Sequence, residues 1–234
     1  MKTLGIAACL TLLIYTPFSS SSGTSMEDVF ATLNESESIS ESTVLGVDAN
    51  DLFLSQDALV TVYFVGEGAG YKNSFGWYDA ATDPTLAENR NLIWGNASGS
   101  GDGLSGGGSL DVGDSSSLGT ISAGTQIGFY LTANGYNYPN NPTYYSDVNY
   151  NGDGIEHVIA GVTGADGLLA LGFEDLWGGG DEDYNDLMIA VDIGFENVAQ
   201  IVAAAPEPEL WLLLLLGILF AMKDRVSPWF ARAF

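Results

Sequence analysis

Apolar residues recur at every second position through 187–193: Leu187, Ile189, Val191 and Ile193 fall on one face and Asp192 on the other. That period belongs to a half-buried antiparallel strand, because successive side chains of a strand point to opposite faces. Three further β-branched and aromatic runs, 59–65 (LVTVYFV), 74–78 (SFGWY) and 126–131 (QIGFYL), predict strands of the same kind. Turns rich in Gly, Asn and Asp separate them, and before the C-terminal region no window of about a dozen residues carries a helical stripe. The expected class is all-β, a β-sandwich or jelly-roll-like domain, followed by a C-terminal transmembrane helix.

The two ends read as targeting segments. Met1 and Lys2 precede an apolar run at 4–15, too short to span a bilayer and of the length of a signal-peptide core, so 1–22 is expected to direct export. Ile6-Ala7-Ala8-Cys9 looks like a lipoprotein box, but too few apolar residues precede it and too many follow. Cys9 is the only cysteine and lies inside that signal, so an exported chain has neither a disulfide nor a thiolate metal site. Residues 23–56, rich in Ser and Glu at 25–42, are expected to be a flexible acidic lead-in to one domain at 57–200. The Gly-rich stretch 99–108 lacks the Gly-Lys-Ser/Thr ending of a phosphate loop and reads as a linker within that domain.

The formal net charge is -24, and four of the six cations (Lys2, Lys223, Arg225 and Arg232) belong to the ends, leaving only Lys72 and Arg90 between them. Such a surface repels phosphate backbones and anionic headgroups, which excludes nucleic acid as a partner. It attracts divalent cations, although acidity also serves simply to keep an exported protein soluble.

At 201–225 a breaker, Pro206-Glu207-Pro208, precedes the apolar helix 210–222 and the basic residues Lys223 and Arg225. The helix would span about 20 Å, short of a hydrocarbon core of about 30 Å. This order resembles the PEP-CTERM sorting signal of Gram-negative bacteria. The resemblance implies recognition of Pro206, Glu207 and Pro208 by an exosortase-type processing enzyme. The membrane would then be an intermediate stage, reached through 210–222, before release to the cell surface or extracellular matrix. Asp224 interrupts the basic cluster and a tail, 226–234, continues past it; a permanent single-pass anchor is the alternative.

The densest chemistry lies at 172–186, GFEDLWGGGDEDYND, where six carboxylates fall within thirteen positions. Two like charges about 6 Å apart repel by roughly 3 kcal/mol at an effective dielectric of about 20, so a folded loop that gathers several needs a compensating cation or donors. Calcium takes six to eight oxygen ligands. Glu174, Asp175, Asp181, Asp183, Asn185 and Asp186 are therefore candidate Ca2+ ligands, with Gly178, Gly179 and Gly180 permitting a tight backbone. A second candidate is 147–154, DVNYNGDG: Asp147, Asn149, Asn151 and Asp153 alternate as in the opening of an EF-hand loop. Val158 stands where the closing bidentate carboxylate would be. An Asx-rich turn that caps its own backbone is the alternative there.

Both loops lie in a stretch, 126–194, that looks like the domain of unknown function 4114, most strongly at 172–186. That resemblance implies a β-rich exported module suspected of calcium binding, with no established enzyme activity.

His157 is the only histidine, and no G-x-S-x-G elbow accompanies it, so a structural or supporting role is expected rather than a catalytic one. A glycosidase pairing Glu174 or Asp175 with Glu182 would need a carboxylate separation that a sequence does not contain. Trp77, Tyr78, Trp94 and Trp177 are candidates for a sugar-stacking surface that would bind exopolysaccharide, set against the commoner placing of aromatics in a core. The leading expectation is a non-enzymatic, calcium-stabilised β-domain of the envelope or extracellular matrix. A carbohydrate-binding module and a glycosidase follow it.

Overall fold

All four anticipated runs form strands in the computed structural model, which describes residues 44–101, 107–163 and 168–204. The run 59–65 lies in β2 (Ala58–Gly66) and 74–78 in β3 (Ser74–Asp79), while 126–131 and 187–193 each overlap a strand in all but one residue, β6 (Ile127–Thr132) and β10 (Leu187–Asp192). Six more strands accompany them: β1 (Val44–Val47), β4 (Arg90–Trp94), β5 (Ser115–Ile121), β7 (Thr143–Tyr145), β8 (Val158–Thr163) and β9 (Leu169–Phe173). The strands form one sheet of order β1-β8-β9-β10-β2-β5 and another of order β4-β3-β6-β7. Every strand pairing is antiparallel, which bears out the all-β expectation.

The period-two pattern explains the core. Val60, Val62 and Phe64 of β2 and Leu187, Ile189 and Val191 of β10 point inward and meet Phe75, Phe129 and Leu131 of the smaller sheet in one cluster. Phe75 stands at its centre, with ring centroids 5.8 Å from Phe129, 5.7 Å from Trp94 and 5.4 Å from Phe173 of the opposite sheet. Trp77 and Trp94 pack against this core, and Tyr78 is buried on the other face of the smaller sheet with Tyr130 and Tyr145. There the ring of Tyr78 lies over Gly128, its cross-strand partner, leaving no room for a side chain at 128. Of the four aromatic residues considered for sugar stacking, only Trp177 is largely exposed, at 64%.

Three sequence expectations need correction. The domain begins before residue 57: β1 pairs with β8, and Ala49, Leu52 and Leu54 are buried, so 44–56 belong to the fold and not to a flexible lead-in. It also runs past 200, because a helix, α1 (Phe195–Ala204), follows β10. Only Asn197, Val198 and Ile201 of α1 are buried, a stripe too short and too polar to register as helical periodicity. Strand β10 is buried on both faces, since Met188 and Ala190 join Val65, Leu168 and Ala170 in a second cluster. Among the described residues no helix is long and apolar enough to cross a membrane. The signal 1–22, most of the 201–225 segment with Pro206, Glu207, Pro208 and helix 210–222, and the tail 226–234 lie outside the described residues. So do 102–106 of the Gly-rich linker, whose flanks are joined by the Ser100 amide donating to Leu110 O at 2.9 Å.

Candidate metal centre

The register of the large sheet brings the two acidic loops together. Strands β8 and β9 are antiparallel neighbours with Val158 opposite Phe173, so the residues just beyond them, His157 and Glu174, face each other at the sheet's end. The ladder continues by one bond there, the Glu174 amide donating to His157 O at 2.9 Å. From this point 174–186 arches over to β10, while 146–157 returns from β7 beside it. The arch needs left-handed backbone at Gly178, Gly179, Gly180, Glu182 and Tyr184. For Glu182 and Tyr184 that conformation costs roughly 1 kcal/mol or more each.

The arch gathers three carboxylates. One oxygen from each of Glu174, Asp181 and Asp183 lies within 4.8 Å of the others, the single such group of three among the described residues. Glu174 is only 1% exposed. Its Oε1 accepts from the Tyr184 amide at 2.8 Å, and its Oε2 is buried with no hydrogen-bond partner. A buried carboxylate oxygen without a partner is costly unless a proton or a cation meets it. Burial, first, and then the charges of Asp186, Asp183 and Asp181 push the Glu174 carboxyl up to about 7, against the pull of the Tyr184 amide. Asp181 is exposed and Asp183 half-buried, so the group runs from the interior out to solvent. Asn185 Nδ2 donates to Asp183 Oδ2 at 2.5 Å.

Asp175 and Asp186 form a separate pair. The Asp175 amide donates to Asp186 Oδ2 at 2.8 Å, and Asp175 Oδ2 accepts from Asn73 Nδ2 at 2.7 Å. Burial, first, raises the pKa of both residues; the Asp186 carboxyl raises Asp175 further, and the charges of Asp183 and Asp181 raise Asp186 against the pull of its hydrogen bonds with Asp175. Asn73 is itself buried at the entrance to β3, and its Oδ1 accepts from the Asn134 amide at 2.8 Å, so it ties the arch to the smaller sheet. Nothing in the run Tyr71-Lys72-Asn73-Ser74 signals that role.

The 147–154 loop holds no such group. Asp147 Oδ1 caps its own turn, accepting from the Asn149 amide at 2.9 Å and from Asn149 Nδ2 at 2.8 Å. Buried Asn151 uses both ends of its amide on the backbone: Oδ1 accepts from Tyr145 N at 2.8 Å, and Nδ2 donates to Tyr145 O at 3.1 Å and Ile155 O at 2.9 Å. Asp153 Oδ2 accepts from His157 Nε2 and from the Gly178 amide, each at 2.9 Å. The alternation of oxygen side chains here builds an Asx-type turn that grips its neighbours. His157 is fully buried, stacks on Tyr144 with centroids 3.8 Å apart, and turns Nδ1 to Glu174 O at 3.1 Å.

Residues 121–194 match a domain of unknown function (DUF4114). The matched stretch starts at Ile121, the end of β5, and takes in both loops and strands β6 to β10. No curated protein and no solved structure matches the chain.

Proposed function

We propose that this chain is an exported, non-enzymatic protein of the cell envelope or extracellular matrix whose β-sandwich domain binds Ca2+ in the 174–186 arch. One observation carries the reading: a buried glutamate oxygen, Glu174 Oε2, has no partner and belongs to the group that converges with Asp181 and Asp183. Glu174, Asp181 and Asp183 would hold the cation. The oxygen-only donor set suits a hard divalent ion, and calcium tolerates an irregular shell better than magnesium does. The ion would neutralise the repulsion that gathering these groups creates and would lock the left-handed arch. The non-enzymatic part is supported by the lone histidine, which is buried with both ring nitrogens engaged.

Export rests on the apolar signal at 1–22. Release from the membrane rests on Pro206-Glu207-Pro208 ahead of 210–222, by resemblance to PEP-CTERM signals read by an exosortase-type enzyme. A second reading, binding of exopolysaccharide, is favoured by Trp177, which stands exposed on the same arch; retention of the chain in a polysaccharide affinity gel tests it, and unretarded migration counts against it. For the cation, thermal unfolding with and without calcium is the test. Calcium at a hundred times its Kd adds about 2.7 kcal/mol to stability, a clear rise in melting temperature; an unchanged melting temperature overturns the reading.

A further inference from the structure

The arch that carries the three carboxylates is held at Glu174 and at Gly178 by residues of another loop. His157 grips residue 174 by both backbone groups: its O accepts from Glu174 N at 2.9 Å, and its Nδ1 donates to Glu174 O at 3.1 Å. Its other nitrogen, Nε2, lies 2.9 Å from Asp153 Oδ2, and that same oxygen accepts from Gly178 N at 2.9 Å. One chain of hydrogen bonds thus runs from the backbone of Glu174, through an imidazole and a carboxylate, to the backbone of Gly178. Asp153 is further set by the Ile155 amide on Oδ1 at 3.3 Å, and the His157 ring by its stack on Tyr144 at an interplanar angle of 18°. Trp177 closes the same junction from outside, where it lies against Gly152.

We propose that Asp153 and His157 are positioning residues of the cation site: they fix the two ends of 174–178 so that Glu174 meets Asp181 and Asp183, and neither touches the ion. This rests on the calcium reading of the arch. The physical reason is preorganisation. An arch with five left-handed residues has many alternatives once it is released, and ordering it on binding would subtract from affinity. Holding Glu174 and Gly178 in advance removes the part of that cost that belongs to 174–178. Asp153, whose spacing placed it among the candidate ligands, serves the ion at one remove.

Calcium titration calorimetry on the full chain, stripped of metal beforehand, tests this with the wild type, E174Q, D153A and D153N. Removal of a residue that orients a metal ligand typically weakens binding about 10- to 100-fold. D153A is therefore expected to bind calcium at least about tenfold more weakly. D153N keeps one oxygen that can accept from both Gly178 N–H and His157 Nε2–H, gives up the 3.3 Å bond from the Ile155 amide, and is expected to bind calcium more tightly than D153A. A merely structural role would lower the metal-free melting temperature of D153A and leave its Kd unchanged, and that result overturns the proposal. Should D153A not fold, H157F takes its place, keeping the stack on Tyr144 and losing both donors; wild-type affinity in H157F is equally fatal. A wild type that takes up no calcium removes the cation reading and this proposal with it. A wild type that binds, an E174Q that does not, and a D153A at wild-type affinity remove this proposal alone.

Discussion

Gly180 lies against the carboxyl of Glu174 so closely that a Cβ at position 180 would overlap Glu174 Oε2. The backbone at Gly180 is left-handed, with φ +57°. Both facts demand glycine: any other residue is strained there and pushes Glu174 Oε2, a buried oxygen with no hydrogen-bond partner.

G180A is therefore expected to destabilise the metal-free chain by about 1–3 kcal/mol, combining left-handed strain with displacement of a buried carboxyl. Urea denaturation measures this. Calcium affinity should fall as well, because the Glu174 carboxyl is displaced from where Asp181 and Asp183 meet it. Unchanged stability would mean that the arch accommodates the methyl group without moving Glu174.

Stability should fall as pH rises through neutrality when no metal is present. Glu174 has an ordinary value of 4.5 that the fold pushes up to about 7, so the folded chain holds this proton more tightly than the unfolded one. The stability that results is fully present below 4.5 and is lost as pH climbs through about 7. Asp175 and Asp186 act in the same direction. Asp153 acts oppositely: its carboxyl is held below 3.8 in the fold, so its contribution is lost only in more acid solution. With chelator, the melting temperature at about pH 8 should lie below that at about pH 5. Saturating calcium, which binds the ionised carboxylates, should remove much of the difference, and E174Q should show a smaller fall than the wild type. A metal-free melting temperature that rises from pH 5 to 8 would contradict the account.

Much of the sheet was legible because burial of one face imposes period two. Leu187, Ile189 and Val191 face the core as their spacing requires, and β2 repeats the pattern through Val60, Val62 and Phe64. Two of the strands that escaped notice carry weak side-chain signals. β5 reads Ser-Ser-Ser-Leu-Gly-Thr-Ile at a sheet edge, and β1 is four residues long. The candidate site divides the same way. Glu174, Asp181 and Asp183 stand out as a carboxylate cluster, but which of ten oxygen-bearing residues converge depends on register and on left-handed turns. Asn151 looks like a ligand in sequence and is a backbone brace in space. Asn73 reaches Asp175 from 102 positions away, a contact that no local pattern announces.

Helix α1 is fastened by one side chain. Asn197 Oδ1 accepts from Ser55 N, Ser55 Oγ and Gln56 N, and its Nδ2 donates to Ile193 O at 2.8 Å and Gln56 O at 3.2 Å. N197A removes these bonds, of which the one to Ile193 O is buried, and is expected to cost about 1–3 kcal/mol in denaturant unfolding. Calcium affinity should not change, since the helix does not contribute to the arch. A loss below about 0.5 kcal/mol would show that water replaces the amide there.

Phe75 joins the two sheets through its contacts with Phe173, Phe129 and Trp94. F75A opens a cavity at that junction and should cost about 3–5 kcal/mol. F75L, which keeps most of the volume, should cost distinctly less. Equal losses in the two variants would mean that the aromatic seam is not what holds the sheets together.

The central claim is that Glu174 Oε2 awaits a cation. Isothermal titration of calcium into the metal-stripped full chain, with wild type and E174Q side by side, tests it most directly. The account predicts saturable heat in the wild type that is lost in E174Q, with the two chains showing the same circular dichroism. Absence of heat in the wild type, or binding of equal strength in E174Q, would contradict it.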